Sequence, residues 1–393
     1  MIPQLFLQRA PKGTLRPGHP WIYASQLMLN GVQVAPGSLV DVLTERGRYV
    51  GRGYCNTNSQ IAVRLLSAAP DPIDSDYFRR RIERAYAYRR RFIHDTNAFR
   101  VISSEADGLP GLIVDLYSEV LVVQFLTAGM ENLKPIVLEA LSTAIPSRGI
   151  YERSDSGVRR LEGLAEKKGW IEKNCGDEVI VRELDIEYLV EFGEGHKTGF
   201  YLDQRENRTV LRNLGIQGRV LDAFCYEGGF GLHLAKGGAN VTGIDIKAAN
   251  LARGTLHRQR NGIPEEKLRF KEADVFEELR ELDAKKEKFD LVILDPPSFV
   301  KKKDELDGAM AGFKEISLRA MKILEEGGLL ALFSCSYHVD ENRLMQVALS
   351  AAQDTKKNLK VVRFMSQGMD HPIDPAIPET YYLKGFLFQV SAN

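Results

Sequence analysis

The chain has 393 residues, more than one hydrophobic core ordinarily serves, so two or three domains are expected. Hydrophobic residues make up 44% and charged residues 27%, apolar material enough that neither disulfides nor metals are needed to hold the fold. The 53 basic and 53 acidic residues cancel, which counts against nucleic-acid binding through bulk charge and leaves local patches open.

Cys55, Cys175, Cys225 and Cys335 are scattered and form no CxxC pair. That argues against a zinc site or a disulfide framework and fits a reducing cytoplasm. No apolar run reaches the length of a membrane span, and the N-terminus lacks a signal-peptide pattern, so the expectation is a cytoplasmic protein with no membrane partner and no metal.

Residues 1–70 read as a small β-rich module, with turns at Pro17-Gly18, Pro36-Gly37 and Arg46-Gly47 and short strands at 38–43, 49–53 and 61–66. Residues 68–76 look like a linker. A helix is expected over 77–92, its apolar stripe formed by Phe78, Ile82, Ala85, Tyr88 and Phe92. Arg79, Arg80, Arg81, Arg84, Arg89, Arg90 and Arg91 occupy the rest of its surface, opposed by Glu83. A solvated face is the plain reading. An RNA-facing one is the functional reading, because guanidinium suits bidentate phosphate contact. Strands at 112–117 and 120–126, a helix at 131–143 and strands at 150–153 and 179–184 complete a central α+β domain over 71–188.

From Gly218 the pattern alternates. Strands at 219–223, 240–246, 268–273, 289–294 and 329–334 are separated by helices at 230–236, 248–261, 275–285 and 313–324. Such alternation means a parallel sheet covered on both faces. After a helix near 343–353, strands at 359–365 and 382–390 have no helix between them and should pair antiparallel at the sheet edge. The expectation for 189–393 is an α/β, Rossmann-like class I methyltransferase domain with a seven-stranded sheet and a terminal hairpin. A simple dehydrogenase would continue in parallel.

The cofactor site follows from the strand ends. Phe224, Tyr226, Gly228 and Gly229 form a glycine-rich turn before a helix, where the backbone approaches a ligand closely and helix-terminal amides face it. Asp222, Asp245, Asp274 and Asp295 fall at the ends of consecutive strands, where open α/β sheets bind ligands. Asp245, followed by Ile246, suits the ribose hydroxyls, and Asp274, followed by Val275, suits an adenine edge, although Asp274 alone could be a helix cap. Asp245 serves NAD as readily as S-adenosylmethionine; Asp295-Pro296-Pro297 and the terminal hairpin favour the latter.

Cys335 ends the fifth strand, facing the crevice. Most lone cysteines in apolar strands are buried small side chains, the reading for Cys55 and Cys175; position makes Cys335 a candidate nucleophile. Thiolate attack at C6 of cytosine would make C5 electron-rich enough to accept a methyl group, and Asp295 could hydrogen-bond N3 or the exocyclic amine during addition. An aromatic residue usually follows the Asp-Pro motif directly in amino-group methyltransferases. Here Ser298 follows and Phe299 comes one position later.

Together these segments resemble the RNA 5-methylcytosine methyltransferases of the RlmI type, which act on 23S ribosomal RNA. The resemblance spans essentially the whole chain. Residues 15–23 are similar to the opening of that family's PUA domain, an RNA-binding β-barrel; residues 107–115 resemble its central domain. Residues 196–205 resemble the segment that closes over the cofactor in the family. The resemblance implies a Cys335 nucleophile, Asp295 as orienting acid, and S-adenosylmethionine held by Asp222, Asp245 and Asp274 with Phe200, Tyr201 and Gln204. Lys197 and Arg205 of the same segment join Arg79, Arg80 and Arg84 as expected RNA contacts. The expected partner is 23S rRNA or a large-subunit assembly intermediate, and a homodimer is compatible with the sequence. Glu227 departs from the family's usual threonine, adding a negative charge near the sulfonium or the amino-acid tail, and Ser298 departs from lysine. Two alternatives stand beside this reading: a guanine-N2 methyltransferase with Cys335 structural, and a non-catalytic RNA-binding assembly factor.

Overall fold

The computed structural model describes residues 2–8, 18–28, 33–193, 198–299 and 305–392. Leu15, Arg16 and Pro17 of the N-terminal motif, and His196 and Lys197 of the segment before the sheet, lie outside the described residues. The chain divides into two compact units, one of residues 1–184, 189–202 and 369–380, the other of 185–188, 203–368 and 381–393. Among the described residues no helix is long and apolar enough to cross a membrane.

The first unit holds two larger sheets, and strand Glu178–Glu183 pairs with Ile186–Glu191 as a two-stranded one. A six-stranded sheet runs in the order Trp21–Tyr23, Ile61–Ser67, Tyr49–Cys55, Ser38–Leu43, Gln4–Leu7 and Leu27–Met28. A five-stranded sheet runs Lys167–Glu172, Gly149–Ser154, Val120–Phe125, Leu112–Tyr117 and Ala98–Ser103. Helix Ser75–Phe92 starts at the Asp74 cap, whose carboxylate accepts from the Tyr77 amide. It buries Phe78, Ile82 and Ala85 in one core with Phe99, Val114 and Val137.

Two expectations about this helix are corrected. Tyr88 and Phe92 are 40% and 41% exposed, and Arg89, expected on the surface, is 1% exposed. The buried stripe continues through Arg89 because its charge is paired: the guanidinium forms two bonds to the Asp107 carboxylate, at 2.6 and 2.8 Å, and donates to the Arg100 and Asp370 carbonyls. Arg81 is also diverted, donating to the Leu66 carbonyl with its guanidinium over the Tyr77 ring. The helix expected over 131–143 is two helices, Ala128–Asn132 and Lys134–Ala144. Pro135 has no amide to continue the first helix but suits the opening turn of the second.

The motif at 107–115 is structural. Gly108 and Gly111 take φ of 69° and 78°, and a β-carbon would lie 2.3 Å from the Arg81 guanidinium and 2.4 Å from the Thr127 hydroxyl, respectively. Buried Asp115 holds Arg100 through two bonds, and Thr198 donates to it.

The second unit carries the seven-stranded sheet, in the order Leu268–Glu272, Asn240–Asp245, Arg219–Ala223, Phe289–Leu294, Leu324–Ser334, Lys384–Ala392 and Lys357–Ser366. The first five strands pair in parallel, and Lys384–Ala392 is antiparallel to both neighbours. This is the expected terminal hairpin. Helix Leu306–Lys322 starts earlier than the expected 313, through Gly308 and Gly312. The fifth strand starts at Leu324 rather than 329, its pairing shifted near Phe289 to absorb Gly327 and Gly328.

The Arg89–Asp107 pair yields a test. Arg89→Ala leaves a buried carboxylate without its partner, so denaturant unfolding should show a loss of roughly 3–5 kcal/mol. Arg90→Ala, on the exposed face, should stay within about 0.5 kcal/mol of the parent. Equal small effects would refute the structural role of Arg89.

Candidate active site

The carboxyl ends of the parallel strands carry the site of the second unit. Strand Arg219–Ala223 runs into a turn in which Phe224, Tyr226 and Gly228 all take the left-handed conformation, with φ of 62°, 53° and 77°. Only Gly228 adopts it without penalty; the two aromatic residues store about 1–3 kcal/mol each. The turn is held by the Tyr226 amide, which donates to Asp245 at 3.0 Å, and by the Gly228 amide, which donates to the Cys225 carbonyl. Helix Gly229–Lys236 follows, and the Gly231 amide donates to Asp222 at 2.9 Å.

The four aspartates occupy different environments. Asp222 is 1% exposed, and its other carboxylate oxygen has no hydrogen-bond partner. Burial pushes its pKa up to about 7; Asp295 and Asp245 push the same way, while the Gly231 amide and Arg208 oppose them. Asp245 ends its strand and accepts from the amides of Tyr226 and Lys247 and from the Asn250 side chain. Oδ1 accepts two of these bonds and Oδ2 the third, so Oδ2 keeps a lone pair that can receive a ribose hydroxyl. Ile246 beside it is 63% exposed, an apolar side chain open to the face of a purine. Asp274 lies beyond its strand, which ends at Glu272; it caps helix Val275–Ala284, accepting from the Phe276 and Glu277 amides. The capping reading of Asp274 is therefore met. Val275 is packed in the core, leaving its backbone as the part that can face a ligand.

Asp295 directly follows strand Phe289–Leu294, and Cys335 directly follows the adjacent parallel strand Leu324–Ser334, where Leu294 pairs with Leu332. The two side chains thus leave the sheet at one end of neighbouring strands. Asp295 is oriented by Gln204, whose amide donates to it at 3.0 Å; Asn207 in turn donates to the Gln204 oxygen and to the Ser366 carbonyl. Gln204, expected at the cofactor, is thus also the hydrogen-bond partner of Asp295. Phe299 packs against Phe224, Phe276 and Phe313, with its ring centroid 4.9 Å from the last.

Phe200 and Tyr201 belong to the first unit, where the Phe200 amide donates to the Tyr117 hydroxyl. Arg205 is 7% exposed, with its guanidinium 3.4 Å from Glu206, so it does not face solvent as an RNA contact would. The Glu227 carboxylate points to helix Ala248–Arg260, 3.5 Å from Arg253 and 3.9 Å from His257. That pairing partly offsets the negative charge that Glu227 brings to the turn. Sequence reasoning missed Arg208, Asn207 and Lys384, which read as ordinary helix and strand positions; only folding brings them to the strand ends.

Comparison with known proteins gives the following. A family model described as S-adenosylmethionine-dependent methyltransferase matches residues 115–388, and one for a PUA-like domain matches residues 5–68. The chain is 39% identical over 396 residues to ribosomal RNA large subunit methyltransferase I of Shewanella denitrificans, covering 99% of this chain and 100% of that one. It is 39% identical to the protein of the same name from Vibrio cholerae, covering 99% and 100% of the two chains. Among solved structures, a methyltransferase in complex with SAH superimposes with a TM-score of 0.85 at 20% identity over 99% of this chain and all of that one.

The residues present fit S-adenosylmethionine. A buried carboxylate with an unpartnered oxygen, beside two further acids, suits a ligand carrying a sulfonium and an ammonium. The raised pKa favours protonated Asp222, so its contribution to stability is complete below about 3.8 and is lost as pH rises through about 7. A bound cation favours the ionised form, so cofactor affinity should strengthen as pH rises toward about 7, by up to tenfold per unit. Calorimetric titration between about pH 5.5 and 7 should show this slope in the parent and lose it in Asp222→Asn; a flat parent profile would contradict the assignment.

Proposed function

The chain belongs to the ribosomal RNA large subunit methyltransferase I family of S-adenosylmethionine-dependent methyltransferases, and we propose that it forms 5-methylcytosine in 23S ribosomal RNA with Cys335 as nucleophile. The observation that carries this reading is the pairing of Cys335 and Asp295 at the ends of adjacent parallel strands, with Asp295 oriented by Gln204. The packing of Phe299 among three other phenylalanines counts against amino-group methylation, which needs an aromatic side chain for the base to stack on.

The chemistry requires a thiolate because C5 of cytosine is a weak nucleophile. Cys335 adds to C6, forming a carbon–sulfur bond and moving electron density to C5, while Asp295 hydrogen-bonds N3 or the exocyclic amine. When bound, the cofactor supplies an electrophilic methyl group on its sulfonium. Loss of the C5 proton then lets the carbon–sulfur bond break, restoring the ring and the thiolate. Pro297 and Ser298 stand where many cytosine-5 RNA enzymes carry a second cysteine, so that proton goes to a group other than a thiol. Asp222, Asp245, Ile246 and the turn from Phe224 to Gly229 form the cofactor pocket, with Asp274 at its adenine end.

RNA contact falls to the exposed side of helix Ser75–Phe92. Arg80 and Arg84 are exposed beside Tyr88 and Phe92, while Arg79 is engaged by Asp76 and Glu83. Exposed guanidinium and aromatic groups together suit phosphate and unstacked bases. A ribosomal substrate puts the enzyme in the cytoplasm.

Incubation with labelled cofactor and unmodified 23S transcript, followed by nucleoside mass spectrometry, should give 5-methylcytidine. Cys335→Ala should abolish transfer yet keep cofactor binding, and only the parent should form an adduct with 5-fluorocytidine RNA. Labelled N2-methylguanosine, or transfer retained without Cys335, would overturn the reading. The double variant Arg80→Ala/Arg84→Ala should weaken RNA binding and reduce its salt slope by about two; an unchanged slope would remove the helix from the interface.

A further inference from the structure

Lys384 belongs to no motif, yet it is 4% exposed, an uncommon place for a lysine. It opens strand Lys384–Ala392, paired on one side with Ser334 and on the other with Ser366. Ser334 immediately precedes Cys335. The Ser366 carbonyl anchors Asn207, which holds Gln204 and through it Asp295. Lys384 therefore stands in one row with Ser334 and Ser366, one residue along from the candidate nucleophile and level with the support of the orienting acid. Gly385 permits the close approach of the two strands, since a β-carbon there would lie 2.5 Å from the Phe333 ring.

We propose that the Lys384 ammonium is the cationic partner that keeps Cys335 ionised as a thiolate before RNA arrives, an inference that rests on the nucleophile reading above. No bond changes in this step. Lys384 keeps its own proton, and the thiol proton passes to solvent.

Aromatic rings, a carbonyl and anionic groups surround the amine and oppose the loss of charge that burial imposes. Its nitrogen lies 5.1 Å from the Tyr381 ring centroid and 6.0 Å from that of Tyr337, and it donates to the Tyr382 carbonyl at 3.4 Å. Burial lowers the lysine pKa, while Asp340, Glu341 and the Cys335 sulfur all act to raise it. The attraction between ammonium and sulfur is mutual, so the same field favours the thiolate. Of the other cysteines, Cys55 and Cys225 are buried and their thiols are pushed up by desolvation; neither has a cation among the groups that shift it. Only the half-buried Cys335 combines access with a nearby ammonium of this kind. Cys175, also partly exposed, faces the Arg148 and Lys173 carbonyls.

The test is the pH profile of iodoacetamide alkylation at the Cys335 peptide, read by mass spectrometry on the full chain without RNA. The parent should react with a midpoint below the ordinary thiol value of about 8.5. Lys384→Met should move the midpoint up by about one unit, slowing alkylation near neutral pH roughly tenfold, and Lys384→Arg should restore it. A parent midpoint at or above the ordinary value overturns the proposal without any variant. So does a profile unchanged in Lys384→Met. The nucleophile reading fails separately, through transfer retained by Cys335→Ala, and that result leaves the alkylation profile to judge the ion pair itself.

Discussion

Asp222 carries a carboxyl group buried at the end of strand Arg219–Ala223, with one oxygen satisfied by the Gly231 amide and the other unpartnered. Desolvation of that group is a standing cost, and Asp245 and Asp295 add to it. A parallel sheet brings strand ends together by construction, so acids that are far apart in the chain become neighbours within one electrostatic field. The same field makes the site selective for a cationic ligand. The strained turn from Phe224 to Gly228 serves it by presenting the Tyr226 amide to Asp245, and the helix that follows presents the Gly231 amide to Asp222.

The proposed reacting groups depend on a second consequence of the sheet. Parallel pairing of strands Phe289–Leu294 and Leu324–Ser334 makes Asp295 and Cys335 leave the sheet at the same end, and the antiparallel strand Lys384–Ala392 delivers Lys384 beside Ser334. Buried polar groups are then satisfied in series: Ser366 holds Asn207, Asn207 holds Gln204, and Gln204 holds Asp295. Such a chain fixes the acid's orientation before substrate arrives, which lowers the reorganisation needed during reaction.

In the first unit, buried charge plays a scaffold role instead. Arg89 and Asp107, and Arg100 and Asp115, are pairs formed from residues that could be mistaken for a binding surface and a functional loop. Arginine counts along helix Ser75–Phe92 overstate its basic face, because one guanidinium is consumed in the core and another caps backbone carbonyls.

The order of strands and helices in the second unit was legible in the sequence because hydrophobic periodicity is local, and the missing helix between the last two strands announced the hairpin. Asp245, Asp295 and Cys335 could be singled out because each ends a strand that the pattern itself defines. Helix faces were less secure. Periodicity cannot see that Arg89 finds Asp107 eighteen residues away, and so it assigned Tyr88 and Phe92 to the core. The direction of Glu227 toward Arg253, the support of Asp295 by Gln204, and the burial of Lys384 beside Cys335 were decided by tertiary structure alone. Each depends on a partner distant in the chain or on another strand, and the energy of a buried charge is set by such partners rather than by its own residue type.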